Sequence, residues 1–167
     1  MFRKGSIICV GEDWTNRPHE RVIEVVQGAD IHHVAGYVGN GEIVEALFKE
    51  GVVKNDISKY FDGKSACVVL EPTVGCFNDK ELNFIAGEML FQVGRPYNHM
   101  SNIAEVLPFL RRFSSKQKRR CSGVIGYAYK NYHAFLNRSF DVLRPSDIYK
   151  DAMWDNWEKF TPQVLRY

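Results

Sequence analysis

The sequence predicts an α+β domain in which an antiparallel sheet packs against helices, and three observations carry the expectation. A Gly39-Asn40-Gly41 turn signal separates two runs rich in β-formers, residues 33–38 and 42–48. An Asn78…Glu81 pair opens a run with apolar residues at helical spacing. The 167 residues, 45% hydrophobic and 13% aromatic, contain neither repeat nor linker and suffice for one core, so residues 1–167 are read as a single domain.

In chain order, residues 6–10 form a short apolar strand. Residues 18–27 read as a short helix, with Pro18 at its start, Val22, Ile23, Val25 and Val26 on its apolar side and Gly28 beyond its end. The hairpin follows, and residues 66–71 make a third buried strand that Pro72 stops. Asn78 and Glu81 form a capping box with Phe77 as its staple. Leu82, Ile85, Ala86, Met89, Leu90 and Val93 then share one helical side until Gly94 and Pro96 end it. Ser101 caps a short helix through Leu107, and residues 121–136 offer Val124, Ile125, Ala128, Tyr132, Phe135 and Leu136 on one face. Ser146, ahead of Asp147-Ile148-Tyr149, marks a last short helix, and an aromatic tail with Trp154, Trp157 and Phe160 packs back on the body.

Composition narrows the function. With 22 Lys+Arg against 20 Asp+Glu the formal charge is +2, too small a field to recruit nucleic acid by itself. No stretch approaches the ~18 apolar residues of a membrane span. The apolar run behind Met1 covers only residues 7–10, short of the ~7–15 of a signal-peptide core. A cytoplasmic protein is expected, one that reaches any target outside the cell through a phage or a secretion system. Four cysteines in a chain of this size need no disulfide scaffold. Adjacent His32 and His33 alternate along a strand, and the sequence has neither Cys-x-x-Cys nor His-x-x-x-His, so no metal and no cofactor is expected. His19, His99 and His133 stand alone as surface or core-edge residues.

Cys121 is the residue with chemistry in its surroundings. It follows Arg111-Arg112 and the run Lys116 to Arg120, which carry cations and no acid, and it opens a predicted helix whose free N–H groups favour an anion. Both effects favour the thiolate, the nucleophilic form. Cys9 and Cys67 lie in apolar strands and Cys76 has no charged neighbour, which makes them ordinary thiols. A thiolate needs an imidazole to manage protons and a polar group to orient it, and the hairpin holds His33 and Glu45. A two-residue Asn40-Gly41 turn would put these two on opposite faces. A three-residue turn would set Ala35 against Glu45 and bring His33 and Glu45 to one face, about 7–8 Å apart at Cα.

The segment from His33 to Ala46 resembles the His-Val-Gly-Ile-Tyr-x-Gly-Asn-Gly hairpin of the NlpC-type papain-like hydrolases, and Cys121-Ser122-Gly123 resembles their Cys-Ser-Gly helix start. Gly94-Arg95-Pro96-Tyr97 is similar to their Gly-x-Pro-Tyr. The histidine precedes the cysteine here, as in the circularly permuted branch that includes the YiiX-like and YaeF-like amidases. The opening Gly5-Ser6-Ile7-Ile8 and the late Arg144-Pro145-Ser146-Asp147 also resemble that branch, so the likeness spans most of the chain. It implies a permuted papain-like fold, Cys121 as nucleophile, His33 as general base and acid, Glu45 orienting His33, and Tyr97 lining the substrate site. It further implies hydrolysis of an amide in a peptide or peptidoglycan-type substrate. Permuted relatives also act on small amides or, as in the more distant lecithin:retinol acyltransferase-like enzymes, hydrolyse or transfer acyl groups of lipids, and a protein that kept the fold as a non-catalytic binding or virion-associated module is the reading from another class.

Overall fold

The computed structural model describes residues 2–13, 31–61, 65–98, 120–132, 134, 143–152 and 159–165. The expected helices at 18–27 and 101–107, the basic residues 111–119, His19, His99, His133, Trp154 and Trp157 lie outside them. Six strands form one sheet: β1 (Ile7–Asp13), β2 (His33–Gly39), β3 (Glu42–Leu47), β4 (Gly51–Asp56), β5 (Ser65–Pro72) and β6 (Phe160–Leu165). Their order is β4-β3-β2-β1-β5-β6, every neighbouring pair antiparallel. Three α-helices are described: α1 (Asp79–Leu90), α2 (Cys121–Ala128) and α3 (Pro145–Lys150). The α+β class with an antiparallel sheet against helices is therefore as expected. Among the described residues, no helix is long and apolar enough to cross a membrane.

Strand alternation divides the core in two. Ile7, Cys9, Val34, Val44, Val68 and Leu70 face the helices and pack with Leu82, Ile85 and Met89 of α1 and Val124 and Ile125 of α2. Ile8, Val10, Ala35, Tyr37, Ile43 and Val69 face the other way and are closed over by Ile57 and Tyr60 of a 3-10 turn, Ile57–Tyr60, that follows β4. Each fully buried Ile or Leu contributes roughly 1.5–3 kcal/mol relative to exposure, so both faces hold the sheet in place.

The hairpin combines the two turn geometries. Asn40 and Gly41 both have positive φ, +55° and +78°, and Gly39 pairs with Glu42, which makes a two-residue turn of the primed kind. Val38 is an extra residue between the Gly39–Glu42 and Tyr37–Ile43 pairs. Beyond this bulge the register, Gly36 opposite Val44, is that of a three-residue loop, and continuing it sets Ala35 opposite Glu45.

The capping box at α1 forms as read: the Asn78 side chain accepts from Lys80 and Glu81 N–H, and Glu81 returns a bond to Asn78 N–H. The helix starting at Cys121 is shorter than its apolar pattern, ending at Ala128 rather than 136. Tyr129 leaves the helix to bury its ring against Phe77 and Phe160 and to donate from its hydroxyl to Gly5 O at 2.5 Å. At α3 the first helical residue is Pro145, so Ser146 lies inside the first turn and Arg144 takes the cap position. β4 and β6 were not expected.

Gly36 sets how closely the helices approach β2. A Cβ there would stand 2.3 Å from Met89 Sδ and 3.0 Å from Ile125 Cδ1, side chains with no exposed surface. Gly36→Ala is expected to cost about 1–3 kcal/mol in urea unfolding, because the packed sulfur has nowhere to retreat. Combining it with Met89→Ala should cost less than the sum of the two single changes.

Candidate active site

Cys121 occupies the first turn of α2, and the flanking residues are anchored to one carbonyl. Arg120 Nη2 donates to Leu143 O at 2.5 Å, and Ser122 Oγ donates to the same oxygen. Just beyond α1, Gln92 Nε2 donates to Val124 O at 3.1 Å and to Glu88 O at 3.0 Å, tying the two helices together. All of α2 except Tyr127 is buried, so packing fixes the Cys121 end of the helix against β2.

The thiol meets three hydrogen-bonding groups there: the His33 ring and the backbone N–H groups of Val34 and Ser122. His33 is the first residue of β2, and its Nε2 lies 2.8 Å from Glu45 Oε2. Because Glu45 engages Nε2, the bond to Cys121 falls to Nδ1. This assignment fixes the ring: Nε2–H donates to the carboxylate, while Nδ1 either accepts from a thiol or donates to a thiolate.

Glu45 has no exposed side-chain surface, and each of its oxygens takes two donors. Oε1 accepts from Asn55 Nδ2 at 2.8 Å and Lys59 Nζ at 2.7 Å. Oε2 accepts from His33 Nε2 and from the Tyr60 hydroxyl. Asn55 reaches it because β4 pairs Asn55 with Ile43, two residues along β3 on the same face. Lys59 and Tyr60 come from the 3-10 turn, whose start is capped by Asp56 accepting from Ser58 N–H at 2.7 Å.

The electrostatics follow from these contacts. Burial would raise Glu45, but the bonds from His33, Lys59, Tyr60 and Asn55 overcome it and hold the carboxyl at about 2. Burial would lower His33, but the hydrogen bonds and charges of Cys121 and Glu45 raise it to about 9. Burial would likewise raise Cys121, and the His33 bond and charge with the Val34 and Ser122 N–H groups turn the balance so that the thiol lies below its ordinary value. Cys9, fully buried, is pushed the opposite way. The arrangement favours a thiolate–imidazolium pair at neutral pH, the resting form of a nucleophile with its proton donor.

In front of Cys121 lies a cavity of about 280 Å³, bordered by Tyr97, Ile31, His32, Arg120, Arg144 and Ser146 among others. Tyr97 thus lines the space beside the thiol, and Phe48 packs on its ring at 5.7 Å. The segment carrying Tyr97 is strapped to β4 by Val52 N–H donating to Arg95 O at 2.8 Å and Gly94 N–H donating to Val52 O at 2.9 Å. His32, which precedes β2, also borders this cavity. Among the described residues no group of three or more His, Cys, Asp and Glu side chains could hold a metal ion.

The structure therefore brings Cys121, His33, Glu45 and Tyr97 to one place. Asn55, Lys59 and Tyr60 join them without having been singled out in the sequence, and His32 and Arg144, named there in other connections, border the cavity. The Asp56-x-Ser58 cap ahead of Lys59-Tyr60 is the one local signal that marked the turn. No protein-family model, curated protein or solved structure matches the chain.

At pH 6, iodoacetamide is expected to alkylate Cys121 faster than the exposed Cys76 and far faster than buried Cys9 and Cys67, as read by peptide mass spectrometry. Equal or slower labelling than Cys76 would contradict a thiolate held by His33.

Proposed function

We propose that the chain is a cysteine hydrolase of the circularly permuted NlpC-type papain-like kind, cleaving an amide of a peptide or peptidoglycan-type substrate through a thioester on Cys121. The observation that carries the reading is the continuous line from Cys121 through the His33 ring to a buried Glu45, with Nε2 and Oε2 2.8 Å apart. The permuted assignment is supported by chain order, since the strands bearing His33 and Glu45 precede the helix bearing Cys121 and are still its neighbours in space.

In this mechanism the Cys121 thiolate attacks the carbonyl carbon, forming the S–C bond, while the oxygen takes up the charge. The Cys121 N–H, in the first turn where helical bonding leaves such donors free, is placed to stabilise that oxyanion. Collapse breaks the C–N bond as His33 Nδ1–H gives its proton to the departing amine. His33 is then neutral, its Nε2–H still held by Glu45, and Nδ1 takes a proton from water as the water oxygen attacks the thioester. Cleavage of C–S releases the acid and restores thiolate and imidazolium.

The cavity selects the substrate in this reading. Its border includes Arg120 and Arg144 and no carboxylate among the described residues, which suits an amide carrying a carboxylate or phosphate near the scissile bond.

Cys121→Ala should abolish turnover with little loss of stability, and the double variant with His33→Ala should be scarcely worse than either single change, as for groups acting as a unit. Glu45→Gln should be milder than His33→Ala, because an amide still holds the ring. The assay is hydrolysis of peptide, peptidoglycan-peptide, small-amide and acyl-ester substrates by each variant. Undiminished activity in Cys121→Ala removes the thioester mechanism, preferred turnover of acyl esters favours the lipid-directed relatives, and a wild type silent on the whole panel favours a binding module.

The pH dependence has a defined sign. The leaving amine needs the proton on His33, raised to about 9, so kcat/KM should fall as pH rises through about 9. It should also fall in acid as the Cys121–His33 pair takes up a proton, and the two limbs belong to the pair rather than to either residue. Glu45, held at about 2, stays ionised throughout.

A further inference from the structure

We propose that Lys59 is a positioning residue of the Cys121 site: its ammonium supplies the cation that lets Glu45 stay charged inside the protein, so that the working unit is Cys121, His33, Glu45 and Lys59. The proposal rests on the reading of Cys121 as the nucleophile.

The four groups alternate in sign when the nucleophile is ready: thiolate, imidazolium, carboxylate, ammonium. Without the ammonium the buried unit carries a net negative charge. With it the sum is zero, which a low-dielectric site tolerates far better. The contact is direct, with Nζ 2.7 Å from Oε1 and the carboxylate wholly enclosed. The two oxygens divide the work. Oε2 serves His33 and the Tyr60 hydroxyl, while Oε1 serves Lys59 and Asn55, so the cation sits on the oxygen that does not touch the imidazole. Lys59 thus compensates the charge without competing for the bond that orients His33.

Lys59 is also well anchored for a residue whose side chain is 37% exposed. Its ammonium lies 5.0 Å from the centre of the Tyr60 ring, and the turn that carries both is capped by Asp56 and packed through Ile57 and Tyr60 into the second core. An exposed lysine ordinarily gains little from an ion pair, but this one meets a carboxylate that has no water to fall back on. Other ionisable groups near the thiol are Cys9 on β1, Cys67 on β5, and His32, Tyr97, Arg120 and Arg144 around the cavity. The four bonds named above already fill the acceptor positions of Glu45.

Removing the cation disfavours the thiolate in two ways that share a sign. A positive charge is lost from its surroundings, and Glu45 takes up a proton more readily, which weakens the imidazolium opposite the sulfur. The test is the pH dependence of iodoacetamide alkylation at Cys121 in the full chain, which needs no substrate. In Lys59→Gln, which keeps a donor and removes the charge, the midpoint should move up by about one pH unit, making alkylation on the acid limb about tenfold slower. Lys59→Arg should return the midpoint to that of the wild type. Tyr60→Phe removes a hydrogen bond and no charge and should move the midpoint by less than Lys59→Gln does. Lys59→Met is the second charge-removing variant, should the glutamine variant not fold. A folded Lys59→Gln or Lys59→Met with the wild-type midpoint overturns the proposal while leaving the nucleophile intact. A wild-type Cys121 no more reactive at pH 6 than Cys76 overturns the nucleophile reading, and the proposal falls with it.

Discussion

A carboxylate with no exposed surface is the constraint on which the rest of the site depends. An enclosed charge stripped of one partner costs about 3–5 kcal/mol, so Glu45 is tolerable only where its donors are delivered together. Those donors come from three separate pieces of backbone: His33 from β2, Asn55 from β4, Lys59 and Tyr60 from the turn beyond it. Each piece is held by its own apolar contacts, Ile57 and Tyr60 in the second core and Val34 in the first. The region from 33 to 60 folds as a shell around one charge, and that shell aims the imidazole at Cys121.

The elements legible in the sequence are those whose signals are local. The capping box at Asn78 and the turn at Asn40-Gly41 each depend on residues within four positions of one another. The strands that escaped notice are the two edges of the sheet. β4 reads Gly-Val-Val-Lys-Asn-Asp, buried only at Gly51 and Val52 and half-buried at Val53 and Asn55, so it resembles a polar loop. β6 contains Pro162, which argues against a central strand but is tolerated at an edge where one side of the backbone needs no partner. The helix at Cys121 is shorter than its apolar pattern for a different reason. Its apolar period continues past Ala128, but a tertiary demand, burying Tyr129 between Phe77 and Phe160, outweighs propensity there.

The site was legible to the extent that chemistry restricts residue types. A cysteine at a helix start, a strand histidine and a carboxylate across a hairpin could be picked out, yet whether the last two shared a face hung on a single residue of turn length. The bulge at Val38 resolves this by giving the tight turn and the longer register together, a solution that neither simple turn contains. Asn55, Lys59 and Tyr60 were illegible because their roles depend on the β3–β4 register and on a carboxylate that nothing in their own neighbourhood reveals.

The geometry also bears on why chain order matters so little to such a site. Glu45 belongs by phase to the face with Ile43, away from the helices, whereas Cys121 belongs to the helix-covered face. The two meet only because His33 stands at the very start of β2, where its ring can reach past the strand's end to α2 while holding the carboxylate on the other side. A site assembled at a strand end from both faces is fixed by sheet register, by the helix packing that Gly36 permits and by the anchoring of Arg120 and Ser122 on Leu143 O. None of these constraints refers to whether the strands or the helix come first in the chain. Reversing the order of the cysteine and the histidine therefore costs the arrangement nothing provided the connections reach, and the physical requirement is the meeting point at His33.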